Sequence, residues 1–159
     1  MLTDSQIERV WEKMLEAEVR SYYFGDLAAR STKCKQWITA ALFFLSSGAA
    51  ATLAARLPAL LPIALSSIAA VLTGYSIAAD LDKQAYRMSK LHADWNRIAD
   101  EYDRLWSNWY ASDAEAQFDE ILKRARDASE LGTDAPYDER LIEKWQDRVF
   151  QLRGLPASA

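Results

Sequence analysis

The chain has 159 residues, one domain's worth, and half of it is apolar, yet its mean hydropathy is slightly negative because the apolar residues are concentrated in one block. The net charge of −4 belongs to the C-terminal part: residues 1–36 carry six basic and six acidic groups, whereas residues 80–159 carry twelve and seventeen. A mixed-sign surface of this kind offers no basic stripe for a phosphate backbone, so nucleic acid is not an expected partner. Single copies of cysteine (Cys34) and histidine (His92) leave nothing from which to build a disulfide or a zinc site. Cys34 is expected to stay a reduced thiol, and His92, set among charged residues, to be a solvated helix position. Phosphate-cradling loops and a nucleophile elbow have no candidate, and the many carboxylates sit beside basic residues at helical spacing. No enzyme, catalytic residue, cofactor or metal is expected.

Residues 1–36 are expected to form a cytoplasmic amphipathic helix. Thr3 with Gln6 makes a capping box, and Ile7, Trp11, Leu15, Val19 and Tyr23, with Val10, Met14 and Tyr22 beside them, give one apolar stripe. Residues 37–79 follow as a transmembrane hairpin. The 19 residues from Trp37 through Ala55 are uncharged, and so are the 23 from Leu57 through Ala79. A helix over the first of these segments is about 28 Å long, close to a bilayer's hydrocarbon thickness of about 30 Å. One helix through both would be too long for a crossing and would carry Pro58 and Pro62 at its centre, so the chain is expected to turn there. Pro62 suits the first turn of a second span over 62–79, and Arg56 then lies in the loop at the membrane surface, against a first span over 37–55.

Basic residues set the orientation. Arg30, Lys33 and Lys35 precede the first span and Lys83, Arg87 and Lys90 follow the second, against Arg56 alone in the loop, which places both termini in the cytoplasm. Trp37 and Tyr75 fall at one membrane face as interfacial anchors, and the 36 polar residues before the first span argue against a cleavable signal peptide. A soluble protein with a buried central hairpin is the competing expectation.

Inside the spans, Ser66, Ala70, Gly74 and Ala78 recur every four residues, as do Ser47, Ala51 and Ala55. Rows of small side chains let helix backbones approach closely, within the hairpin or between subunits. With no ionisable residue in either span, a proton relay or charged ion site has no basis; a pore needs an oligomer, lined by Ser46, Ser47, Thr52, Ser66, Ser67, Thr73 or Ser76 or gated by apolar rings.

After the second span, Leu81, Met88, Trp95, Tyr102 and Trp109 are spaced by seven, with Leu91, Ile98 and Leu105 at the second heptad position. This seam predicts a coiled-coil stalk continuing from the membrane, which with the C-terminal helices makes up residues 80–159. Ser112 with Glu115 opens a further helix that ends near Gly132, and a last helix buries Leu141, Ile142, Trp145, Val149 and Leu152 before Gly154 and Pro156. The fold class is all-α: a two-span transmembrane hairpin continuous with a cytoplasmic helical bundle.

An N-terminal amphipathic helix, a tight two-span hairpin with both ends inside, and a heptad helix after the second span resemble the SLATT family, the SMODS- and SLOG-associating two-transmembrane effectors of bacterial conflict systems. The likeness covers nearly the whole chain and is architectural. It implies a homo-oligomeric effector of the bacterial inner membrane that permeabilises the bilayer during phage infection, with a nucleotide-generating or sensor protein as partner. No sensor domain is recognisable, so a trigger must reach the helical bundle itself or arrive through another protein. The alternative is a membrane-anchored scaffold that recruits a cytoplasmic partner through its acidic C-terminal helices.

Overall fold

A computed structural model describes residues 1–55, 58 and 60–156. It is built from helices alone among these residues: α1 (Asp4–Ala54), α2 (Leu60–Ala78), α3 (Leu81–Ser107), α4 (Ala114–Leu131) and α5 (Glu139–Leu152). Two compact units result, one of Met1–Ala28 with Arg87–Ala159 and one of Ala29–Tyr86.

The first unit is a four-helix bundle. The Thr3 backbone N–H donates to Gln6 Oε1 at 2.8 Å, half of the predicted capping box, and α1 then lays down Val10, Met14, Ala17, Tyr23, Phe24 and Leu27 as a buried stripe. Against it α3 runs antiparallel, fixed at one end by Leu2 N–H to the Trp109 carbonyl (3.1 Å) and at the other by His92 Nδ1 on the Ser21 carbonyl (2.8 Å). The next helix, α4, runs parallel to α1, with Arg9 over the Phe118 ring at 5.9 Å and Arg20 donating to Ser129 Oγ at 3.0 Å. Antiparallel again, α5 is held where the Tyr23 hydroxyl donates to the Pro136 carbonyl and accepts the Asp138 N–H (3.1 Å), and at its far end by Arg153 paired with Glu18. Tyr102, Met14, Leu105, Val10 and Val149 are the largest fully enclosed side chains, each worth about 1.5–3 kcal/mol of transfer free energy.

Several expectations need correction here. The seam helix does not continue from the second span: Asp80, at φ 45°, breaks the chain between α2 and α3. Its N–H donates to the Ile77 carbonyl (3.1 Å) while its own carbonyl accepts the Gln84 N–H (3.0 Å), so one residue closes α2 and opens α3. Aspartate tolerates this left-handed conformation better than most residues. The helix that does run unbroken is α1, which carries the amphipathic N-terminal segment directly into the first apolar one. Trp109, assigned to the seam by its spacing, lies beyond the end of α3 and is 38% exposed, because the helix stops at Ser107. Ser112 does not cap α4; Asp113 occupies that position, without a side-chain cap bond. His92 is not solvated on a free face, since it spans α3 and α1. Leu152 is exposed in the last turn of α5.

Helix ends in the C-terminal half follow from their residues. Asp138 Oδ1 accepts the Leu141 N–H at 3.1 Å to cap α5. At the other end Gly154 adopts φ +71°, and the Leu155 and Gly154 N–H groups return to the carbonyls of Phe150 (2.9 Å) and Gln151 (3.2 Å). That is a Schellman closure, which needs a left-handed residue where glycine stands.

In the second unit, the later part of α1 and α2 pair antiparallel, with Lys35 bound to Asp82 at one end and Gly48 against Leu65 midway. Both helices are long and apolar enough to cross a membrane.

Candidate functional site

The paired helices of residues 29–86 meet along Leu45, Gly48, Ala49 and Thr52 on α1 and Pro62, Leu65, Ala69, Leu72 and Ser76 on α2, which are among the positions that are buried or half-buried. A Cβ on Gly48 would stand 3.5 Å from Leu65 Cδ1, so this glycine sits in ordinary van der Waals contact across the pair. Pro62, in the first turn of α2, is buried against the partner helix, and the exposed Pro58 accepts the Leu61 N–H at 3.0 Å in the approach to that turn. Arg56, the third residue assigned to the turn, lies outside the described residues.

The rows of small residues face elsewhere. Ser47, Ala51 and Ala55 of the first row and Ser66, Ala70, Gly74 and Ala78 of the second are all exposed, and nothing lies within 4 Å of where a Gly74 Cβ would be. They are therefore not the contact between these two helices. The contact in use has its own signature: Pro62, Leu65, Ala69, Leu72 and Ser76 alternate steps of three and four, a heptad pattern legible in the sequence but overshadowed by the stricter four-residue row.

Alongside the small rows stand large apolar side chains turned outward, among them Trp37 (77% exposed), Phe44 (72%), Val71 (73%) and Ile77 (75%). Four of the hydroxyls on these helices are satisfied within their own backbone. Thr52 donates to the Ala49 carbonyl (2.9 Å), Ser67 to Ile63 (2.9 Å), Thr73 to Ala69 (2.8 Å) and Ser46 to Leu42. A hydroxyl bonded to a carbonyl of the preceding turn can face an apolar medium without leaving a donor unpaired. Of the predicted pore-lining set, Ser46, Ser47, Ser66, Ser67 and Thr73 are exposed, whereas Thr52 and Ser76 lie half-buried between the helices.

At the basic end of the pair, Lys35 is bound to Asp82 and Lys83 lies 3.9 Å from Asp80. Cys34 is exposed next to them. Leu81 is buried in this unit, while Met88, Leu91, Trp95, Ile98, Tyr102 and Leu105 are buried in the bundle at 1–4% exposure.

Within the bundle, a groove of about 650 Å³ lies on α1 beside α5 and is closed by the 132–137 connection. Leu15, Val19, Tyr23, Ile142 and Phe150 form its apolar walls, with Glu12, Glu16 and Arg20 along α1. Burial alone would raise the Glu16 carboxyl, but its hydrogen bond to Lys13 and the nearby Arg20, 2.5 Å away, together hold it below the ordinary carboxylate value. Arg20 also stacks over Trp95, its guanidinium 4.7 Å from the ring. Deeper in the bundle, burial pushes the Tyr102 phenol up to about 12, with the Glu16 charge adding to the shift, and its hydroxyl has no hydrogen-bond partner. Among the described residues no cluster of three or more histidine, cysteine or carboxylate side chains is placed to hold a metal ion. Sequence reading found Leu15, Val19, Tyr23 and Ile142 as apolar helix positions but neither Phe150 nor the groove, which forms where α4 and α5 leave one side of α1 uncovered. No protein-family model matches the chain, and neither does any curated protein or solved structure.

Proposed function

We propose that the chain is an oligomeric effector of the bacterial inner membrane, of the SLATT type, which permeabilises or depolarises that membrane when triggered in an anti-phage or conflict response. The observation that carries this reading is the outward face of residues 37–55 and 60–78. Large apolar side chains stand exposed on both helices, and none of the most apolar window of α1 and only 6% of that of α2 is buried. Such a surface is untenable in water and suits a bilayer, whereas the core hairpin of a soluble protein would be enclosed. With the outward Ser46, Ser67 and Thr73 hydroxyls bonded within their own helices, the outward small rows of α1 and α2 offer close-approach surfaces for further copies of the chain. Both termini are cytoplasmic in this arrangement, by the basic flanks.

The test is membrane potential in cells expressing the chain, read together with cross-linking of its oligomers. Depolarisation accompanied by a discrete oligomer supports the effector; fully polarised cells holding only a monomer, with or without phage challenge, refute it. The second reading, a membrane-anchored scaffold without pore activity, draws on the open groove of the bundle, and it predicts harmless expression under every challenge.

A further inference from the structure

We infer that the groove on α1 is a docking site for one amphipathic helix of a partner protein, with an apolar stripe and lysine or arginine on its flanks. The bundle covers α1 on three sides. Ser21 meets α3, Arg9 and Arg20 meet α4, and Glu18 meets α5. The remaining side carries Glu12, Glu16, Val19 and Tyr23, spaced as one helical stripe, and opposite them α5 presents Ile142, Gln146 and Phe150 at intervals of four. Two near-parallel ridges with an apolar floor between them are what a further helix packs into, its own ridge entering the groove. The volume suits the side chains of one helical face, and the segment 132–137 closes the end beside Tyr23.

Charge selects the occupant. Glu8 and Glu12 continue the α1 stripe, and Glu139 and Glu143 neighbour Ile142 and Gln146 on α5; all four are exposed. Among the described residues none of the four makes an ion pair, whereas other carboxylates are often bound: Glu16 to Lys13 and Arg20, Glu18 to Arg153, Asp26 to Lys144. The single cation on the wall, Arg20, is already committed to Glu16 and Ser129. An apolar channel between two unpaired acidic edges is complementary to a basic amphipathic helix and repels an acidic one. The inference does not depend on pore activity, since a chain that never depolarises a cell can still hold the helix.

The experiment uses the full chain in a neutral detergent and a fluorescently labelled 18-residue helical peptide of leucine and lysine, with a leucine and glutamate peptide as control. Expected are saturable one-to-one binding of the lysine peptide, at least tenfold weaker binding of the glutamate peptide, and a loss of at least tenfold in Glu12→Lys/Glu143→Lys. Phe150→Ser, which removes apolar wall without altering charge, should weaken binding several-fold. Asp100→Lys/Asp127→Lys, with the same change in net charge away from the groove, should bind as the parent does. Equal loss in both charge-reversal pairs would reduce the effect to net charge and overturn the proposal. So would equal binding of the two peptides, or self-association of the chain that Glu12→Lys/Glu143→Lys abolishes, which would make the occupant a second copy.

Discussion

The bundle and the paired helices solve the same problem with opposite means. In the bundle, Val10, Met14, Tyr102 and Leu105 are enclosed and charged side chains form the exterior, so burial of apolar surface from water supplies the stability. Between α1 and α2 the contact is narrow, made by small and medium residues such as Gly48, Ala49 and Ala69, while Phe44, Val71 and Ile77 point away from it. That second arrangement suits apolar surroundings, where close contact replaces hydrophobic drive. Exposure, more than composition, separates the two regions.

The comparison breaks most readily in the bundle core. Val10→Asp would place an unpaired carboxylate at a fully enclosed position and is expected to unfold the bundle, with loss of near-ultraviolet tryptophan dichroism, while far-ultraviolet helicity from residues 37–78 persists in detergent. Leu105→Ala should cost about 2–5 kcal/mol in the same unfolding transition. A paired test comes next. Gly48→Leu forces a side chain against Leu65 and should destabilise the α1–α2 contact by about 1–3 kcal/mol, whereas Gly74→Leu, with open space around it, should leave that contact intact. If Gly74→Leu nonetheless disperses a cross-linked oligomer, the outward row is the surface between subunits; if it changes nothing, that role for the row is wrong. Asp138→Ala should cost about 1 kcal/mol through the lost cap of α5.

The smallest effect has the opposite sign. Tyr102→Phe removes a buried hydroxyl with no partner and is expected to be neutral or stabilising by up to about 1 kcal/mol. Because the folded state raises this phenol from 10.0 to about 12, its contribution is intact below pH 10 and fades as the pH climbs toward 12; Tyr102→Phe should flatten that alkaline loss in a stability profile. Glu16 gives the complementary signature. Its lowered carboxyl contributes above its unfolded value of 4.5, and that contribution disappears as the pH falls through the folded value.

Much of the architecture was readable because periodicity reports which faces are apolar. The heptad through Met88, Trp95 and Tyr102 marks the buried side of α3, and the uncharged lengths around Trp37 and Ile77 mark α2 and the later part of α1. Two things were not readable. The break at Asp80 depends on one dihedral angle, and nothing in the hydrophobic pattern distinguishes an aspartate that ends a helix from one that decorates it. Nor could spacing alone tell which of two faces on α2 meets α1, since a row of small residues and a heptad of mixed sizes both fit close packing. The groove is a further step removed, being a relation among α1, α5 and the 132–137 connection that no single segment encodes.

Gly25 and His92 constrain one another. A Cβ at position 25 would come within 3.1 Å of the His92 ring, nearer than most side chains approach, so what fits at one position depends on the other. Alanine or serine at 25 requires the His92 ring to give way by a few tenths of an ångström, which loads the ring's bond to the Ser21 carbonyl. A side chain at 25 should therefore be better accommodated when residue 92 is smaller than histidine.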